Sequence, residues 1–398
     1  MKKKLYFCII FVLIIVAVVI LINKNIGNRQ DSEPNPVTDS TNNANTSNET
    51  LTDEKYVEQI VAQMSLDEKI FQMMFVTPES ITGVGQVIRA GTGTENALKK
   101  YPVGGIIYFD PNIQSRDQVV EMISNTQKFS KIPLFIGVDE EGGRVSRLGK
   151  AGITQQPDMK SIGQTKDPQK AFEVGAQLAK ELLELGFNVN FAPVADVLTN
   201  DENNVIGDRA FGSDAQLVSQ MVAQEVKGLQ SNGISAALKH FPGHGNTSTD
   251  SHEGYSASSR TMENLESCEF LPFKAGIDAG VDFVMVAHIT LTNAIDEKVP
   301  ATLSQELVTQ QLKNKMGFKG IVITDSCHMG AITQHYTSEQ MTVKAVEAGI
   351  DMILMPKDVA VAHSAIKNAV ANGEITEARI DHSVKRILLT KVKRNLLR

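Results

Sequence analysis

Short apolar runs and amphipathic stretches alternate along this chain from about residue 54 to its end. The apolar runs fall at 71–76, 103–109, 133–139, 189–197, 234–240, 283–288, 320–325 and 352–355, each of strand length. Most intervals between them carry apolar positions at helical spacing, as over 171–185, 215–230, 303–315 and 342–348. Runs that are almost wholly apolar, rather than alternating with polar residues, predict strands buried on both faces of a parallel sheet. Strands that alternate with helices predict an α/β fold. Eight such strands predict a single (β/α)8 TIM-type barrel over 54–398. A doubly wound open sheet is the alternative that the same pattern allows. No internal repeat or linker interrupts the region.

The polarity pattern differs before residue 54. Lys2, Lys3 and Lys4 precede an uncharged apolar stretch over 5–22, which is 18 residues and about the length that spans a bilayer core. No small-x-small cleavage site follows; the chain continues Asn23-Lys24-Asn25-Ile26. Cys8 follows Phe7 inside the apolar run, which does not suit lipoprotein processing. An uncleaved membrane anchor over 1–26 is therefore expected, with the lysines inside and the rest exported. A cleaved signal segment is the alternative. Residues 27–53 are rich in Asn, Ser, Thr, Asp, Glu and Pro and read as a disordered polar linker. Its root-mean-square reach is on the order of 30 Å.

Composition adds limits. The net charge of −7 is interspersed with both signs, which gives no basic footprint for nucleic acid. The three cysteines allow one Cys268–Cys327 pair but imply no disulfide framework. The chain has no Trp, so any ligand ring would have to stack on Phe, Tyr or His. A monomer is expected.

The candidate chemistry sits where apolar runs end in polar residues. Asp139 closes one run, Lys239 and His240 another, His288 a third and Asp325 a fourth. In a barrel these strand ends converge on the C-terminal face, where active sites are built. A lone strand-end Asp is often only a helix cap, and it is the convergence that favours a site. The densest stretch is Lys239-His240-Phe241-Pro242-Gly243-His244-Gly245, followed by Asp250-Ser251-His252. Pro and Gly break the strand and bring backbone close to a ligand. A carboxylate beside an imidazole fixes its tautomer and raises its pKa, as a general acid/base requires. Asp139-Glu140-Glu141-Gly142-Gly143-Arg144-Val145-Ser146-Arg147 and Ile206-Gly207-Asp208-Arg209-Ala210-Phe211-Gly212 add charged, glycine-flanked loops.

The combination of these motifs with Val322-Ile323-Thr324-Asp325-Ser326, in this order, resembles glycoside hydrolase family 3, and within it the β-N-acetylglucosaminidase branch. The resemblance covers roughly 54–398. It implies a retaining, two-step mechanism with Asp325 as nucleophile, and with His252, supported by Asp250, as acid/base. It further implies that Asp139, Arg147, Arg209, Lys239 and His240 bind the N-acetylglucosamine at the cleavage site. The implied activity is exo-hydrolysis of terminal β-linked N-acetylglucosamine, from peptidoglycan fragments outside the cytoplasmic membrane, with no metal or organic cofactor. His244 is expected to shape its loop rather than react.

Asn246 stands where an acidic or small residue is common in the family, and Cys327-His328 follows Asp325-Ser326 where an apolar residue is frequent. Competing readings are a β-glucosidase or phosphorylase of the same family, and a non-catalytic, membrane-tethered sugar-binding protein. A zinc site on His240, His244, Asp250, His252 and His288 is a further reading, but its spacing matches no standard ligand pattern.

Overall fold

The computed structural model describes residues 52–247, 254 and 256–397. The expected anchor and the linker up to residue 51 lie outside the described residues, as do Asp250 and His252; Thr52 and Asp53, the last two positions of the expected linker, instead cap and open the helix Asp53–Gln63. Among the described residues no helix is long and apolar enough to cross a membrane.

All eight expected runs form parallel strands: β1 (Met74–Val76), β2 (Gly105–Ile107), β3 (Phe135–Val138), β4 (Val189–Asn190), β5 (Ser235–Phe241), β7 (Phe283–Val286), β9 (Ile321–Thr324) and β10 (Ile353–Leu354). They pair in the order β10-β1-β2-β3-β4-β5-β7-β9. A parallel bridge from Ile323 to Met352 joins the two outer strands. Two backbone bonds seal that junction: Asp351 N–H donates to Val322 O at 2.7 Å, and Thr324 N–H donates to Met352 O at 3.1 Å. The result is one α/β domain around a nearly closed eight-stranded barrel, which excludes the open sheet. β1 is shorter than expected, because Leu66–Gln72 continues as a helix behind a Ser65/Glu68 capping box.

Local chemistry explains the helices. The helix Pro168–Leu185 starts on Asp167, whose side chain accepts from Gln169 N–H, and stops at Gly186 with φ 93°. The helix Ser338–Ala348 begins earlier than its apolar spacing suggests. Thr337 and Gln340 form a capping box there, a signal present in the sequence. Helix Ala215–Ser231 lies against Pro168–Leu185, and a Cβ on Gly228 would come 2.3 Å from Phe172 O. Only glycine permits that approach. The expected helix over 303–315 is observed as a turn at Ala301–Leu303 and a widened π-type helix at Glu306–Lys315. One element had no precedent in the sequence pattern. β6 (Ser256–Ser258) and β8 (Ile289–Leu291) form a two-stranded parallel sheet outside the barrel. Ser-Ala-Ser carries no apolar run to reveal it.

The last helix, Glu377–Lys393, is tied to the barrel by buried charge. Asp351 accepts from Lys313 Nζ at 2.9 Å, Ser383 Oγ at 2.6 Å and Val322 N–H at 3.0 Å. Lys391 has no such anion among the described residues. Its Nζ donates to Gln72 Oε1 at 2.9 Å and sits 5.1 Å from the centre of the Phe135 ring, fully buried. Burial pushes this ammonium down to about 7. Above that value the folded chain has released a proton that the unfolded chain keeps until about 10.4. Lys391 therefore makes stability rise as pH climbs from 7 to 10. Lys391→Met is expected to be more stable than the parent by on the order of 2 kcal/mol at pH 7, with the advantage vanishing near pH 10. Urea unfolding across that range checks this; parallel curves for the two proteins would contradict it.

Candidate active site

The C-terminal ends of the strands carry the expected polar residues, and most of them meet. β5 is out of register with β7: Leu238 pairs with Val284, yet Phe241 pairs with Val286. The extra residue makes a bulge at Lys239-His240, the kind of irregularity that re-aims side chains at a barrel rim. Lys239 Nζ then lies 2.7 Å from Asp139 Oδ1, at the end of β3, and 2.5 Å from Glu141 Oε1. Arg209, from the turn Gly207–Arg209, grips Glu141 bidentately, Nε to Oε2 at 2.8 Å and Nη2 to Oε1 at 2.9 Å.

This cluster is nearly dry. Lys239 and Glu141 are buried, and Asp139 and Arg209 are partly so. Burial alone would raise the Glu141 carboxyl, but Lys239 and Arg209 outweigh it and hold the group well below the usual carboxylate range. Burial likewise disfavours the cations, and the carboxylates more than restore them: Asp139 and Glu141 for Lys239, Glu141 for Arg209. Glu141, Lys239 and Arg209 are therefore charged near neutral pH. Their hydrogen-bonding capacity is not used up. Lys239 has three N–H donors and places two on carboxylates, and Asp139 uses Oδ1. What remains can meet sugar hydroxyls as donor and acceptor.

His240 is held from both sides. Nδ1 lies 2.7 Å from Asp196 Oδ2, and Nε2 lies 3.3 Å from Arg209 Nη2. The carboxylate partner puts the proton on Nδ1, so Nε2 accepts from Arg209. Asp196 is fully buried and also accepts from the His244 N–H at 2.6 Å. Burial would raise its carboxyl, yet His240 and His244 bring it below its ordinary value. His244 Nδ1 pairs with Thr247 Oγ1 at 2.6 Å, in keeping with a loop-shaping role. Burial pushes the His244 imidazole down, and His240 adds to this.

Asp325 follows β9 on the same face. Its N–H donates to Val286 O at 2.9 Å, and Ser326 N–H donates to its Oδ1 at 2.7 Å. His244 follows β5, and β5 and β9 both flank β7, so the two residues lie at the same rim of the barrel. His288 follows β7 and braces the loop after Asp325: Nδ1 lies 2.7 Å from Thr302 Oγ1 and Nε2 lies 3.1 Å from Ser326 O. Arg147 is anchored through its backbone N–H to Glu140 Oε2 at 2.8 Å, and its buried Nε finds no acceptor among the described residues. Cys268 and Cys327 are free thiols. Burial pushes the Cys327 thiol up to about 12, so it stays protonated beside Asp325.

Asp139, Arg209, Lys239 and His240 are thus brought together, with Asp325 and Arg147 on the same rim. Two further groups, Glu141 and Asp196, complete the cluster. Asp196 sits near the end of the apolar run 189–197, as Asp139 and Asp325 end theirs, so the same strand-end rule points to it. Glu141 lies inside the charged run after β3, where nothing in the order of letters separates it from Glu140. Of the rings in the zinc reading, His240 pairs with Asp196 and Arg209, His244 Nδ1 with Thr247, and His288 with Thr302 and Ser326, while Asp250 and His252 lie outside the described residues.

A family model described as the glycosyl hydrolase family 3 N-terminal domain matches residues 65–390. The chain belongs to glycosyl hydrolase family 3. It is similar to a glycoside hydrolase family 3 beta-N-acetylglucosaminidase from Paenibacillus sp. str. FPU-7, a solved structure 36% identical with a TM-score of 0.79, over 84% of this chain and 63% of that one. The beta-hexosaminidase of Nitrosomonas eutropha is 35% identical over 292 residues, 72% of this chain and 82% of its own length. Beta-hexosaminidase A of Pseudoalteromonas piscicida is 32% identical over 326 residues, which is 74% of this chain and 54% of that protein. The chain thus spans about half the length of that relative and under two thirds of the Paenibacillus one.

Removing one anion from the cluster tests its role in this family 3 barrel. Glu141→Gln leaves the buried Lys239 and the partly buried Arg209 facing a single carboxylate and is expected to cost about 3 kcal/mol at pH 7. The Glu141 carboxyl is held low in the fold, so its contribution is present above the unfolded value near 4.3 and fades as pH falls below it. The gap between the two proteins in urea unfolding is therefore expected to narrow below pH 4. A gap under about 1 kcal/mol at pH 7, or one that ignores pH, would contradict the paired-charge account.

Proposed function

We propose that this chain is a retaining exo-β-N-acetylglucosaminidase. The observation that carries the reading is the placement of Asp325 on the same barrel face as the Lys239–Asp139–Glu141–Arg209 cluster, in a family 3 chain similar to proteins named beta-hexosaminidase. The terminal sugar would sit with its hydroxyls on Lys239, Arg209, Asp139 and His240, with Arg147 at the edge. Asp325 would attack the anomeric carbon and form a glycosyl-enzyme. The bond to the leaving oxygen breaks as that oxygen takes a proton from His252, which Asp250 orients. His252 then takes a proton from water as the water attacks the same carbon and releases Asp325, with net retention. A histidine suits both halves because its pKa lies near neutrality. None of these steps draws on a metal or organic cofactor.

We further propose that the natural substrates are peptidoglycan fragments. The apolar stretch over 5–22 would anchor the chain, with the barrel outside the cytoplasmic membrane.

The test is release of nitrophenol from the p-nitrophenyl β-glycosides of N-acetylglucosamine and glucose, with and without phosphate. The expected result is turnover of the N-acetylated substrate alone, independent of phosphate. Loss of about three orders of magnitude or more in kcat/KM is expected for Asp325→Ala. Preference for the glucoside would replace the reading with a β-glucosidase, and dependence on phosphate with a phosphorylase. No turnover of either would favour a sugar-binding protein.

A further inference from the structure

Arg144 stands in the glycine-flanked loop after β3, three positions beyond Glu141, and reaches across to the segment that delivers Arg209. Its Nε donates to Asp208 Oδ1 at 2.6 Å. Its Nη2 faces three successive carbonyl oxygens, those of Asn204 at 3.0 Å, Val205 at 2.9 Å and Ile206 at 3.1 Å. A surface arginine paired with one carboxylate is common and contributes little. A fork set on a carboxylate and three consecutive carbonyls does something more, because it fixes the path of a peptide segment.

That segment aims a residue of the site. Arg209 places Nε and Nη2 on Glu141, shares Nη2 with His240 Nε2, and donates from Nη1 to Val205 O at 3.2 Å. These contacts occupy four of the five N–H groups of a guanidinium, so among the described residues one N–H on Nη1 is left for a sugar hydroxyl. The guanidinium is planar, so the bond from Nη1 to Val205 O sets the direction of that remaining N–H. Val205 O accepts from both arginines, which takes up its two lone pairs. Arg144 thus holds, from the more exposed side, the oxygen that orients Arg209 within the cluster.

The rest of the segment has its own anchors. Asn203 Nδ2 donates to His244 O at 2.7 Å, Asn203 Oδ1 accepts from Ile206 N–H at 3.0 Å, and Asn200 Nδ2 donates to Thr247 O at 3.1 Å. Removing the Arg144 side chain would therefore loosen one edge of the segment and leave it docked on the loop after β5. The Arg144 side chain is 46% exposed, so water can reach the carbonyls it would leave.

We propose that Arg144 is a positioning residue that acts through Arg209: it stands clear of the sugar and sets the one Arg209 N–H that meets it. The proposal rests on the hydrolase reading, which seats the sugar on Arg209, and adds to it the residue that aims this contact.

In the full-length protein, Arg144→Ala is expected to lower kcat/KM on the p-nitrophenyl β-glycoside of N-acetylglucosamine about tenfold, chiefly through KM. Calorimetric affinity for N-acetylglucosamine should fall by a similar factor. The melting temperature should drop by less than about 3 °C. Asp208→Asn keeps an acceptor for Nε and should cost less than about twofold. Arg144→Lys offers a point charge instead of a fork and should recover only a small part of the loss. In an Arg209→Lys background, Arg144→Ala should cost less than about twofold further, because the fork it aims is gone. A tenfold loss in both backgrounds, an unchanged kcat/KM and affinity, or a loss accompanied by a larger drop in melting temperature would overturn the proposal. If the parent binds N-acetylglucosamine but hydrolyses no N-acetylglucosaminide, the hydrolase reading fails, and the affinity comparison alone decides for or against Arg144. If the parent does neither, both readings fall.

Discussion

The contact on which this site depends is the buried ammonium of Lys239 between Asp139 and Glu141. An unpaired charge at that depth would cost several kcal/mol, and the partners here lie about a hundred residues away in sequence. They come from β3, two strands away from β5 in the barrel, and Arg209 joins from a turn after β4. Only a curved parallel barrel brings these chain segments within 3 Å of one another at one rim. Barrel closure and site assembly are in this sense one event, because the charges need the closed wall and the wall tolerates the charges only as a set.

The same logic extends to histidine. Asp196 fixes the ring of His240, and through the backbone of His244 it also fixes the loop that follows β5. A single buried carboxylate thus sets one imidazole and the path of the chain beyond it. Asp325 then meets a face whose polar groups are already oriented, so little reorganisation is left for a bound sugar to impose.

Much of this was legible in the sequence, for identifiable reasons. The eight strands showed because parallel strands are buried on both sides and so read as unbroken apolar runs. Asp139, Lys239, His240 and Asp325 showed because polar residues ending such runs are conspicuous. Glu141 did not stand out from Glu140, since its distinction is which way it faces, and facing is set by a turn with Gly142 at φ 94° and Gly143 at φ 53°. β6 and β8 were hidden because their pairing is non-local and one of them is a plain Ser-Ala-Ser segment. Lys391 was unreadable in the same way: it lies near the end of an amphipathic helix among other lysines and arginines, and only packing buries it beneath Phe135.

The central claim is that Asp325 attacks an N-acetylglucosaminyl unit held by the Lys239 cluster. Trapping the covalent species tests it most directly. A 5-fluoro-N-acetylglucosaminyl fluoride carries a good leaving group, while its ring fluorine slows the hydrolysis that follows, so a glycosyl-enzyme accumulates. Digestion and mass spectrometry then locate the sugar. The account predicts a single adduct on the peptide containing Asp325. Turnover without any adduct, or an adduct on another carboxylate such as Asp139, would contradict it.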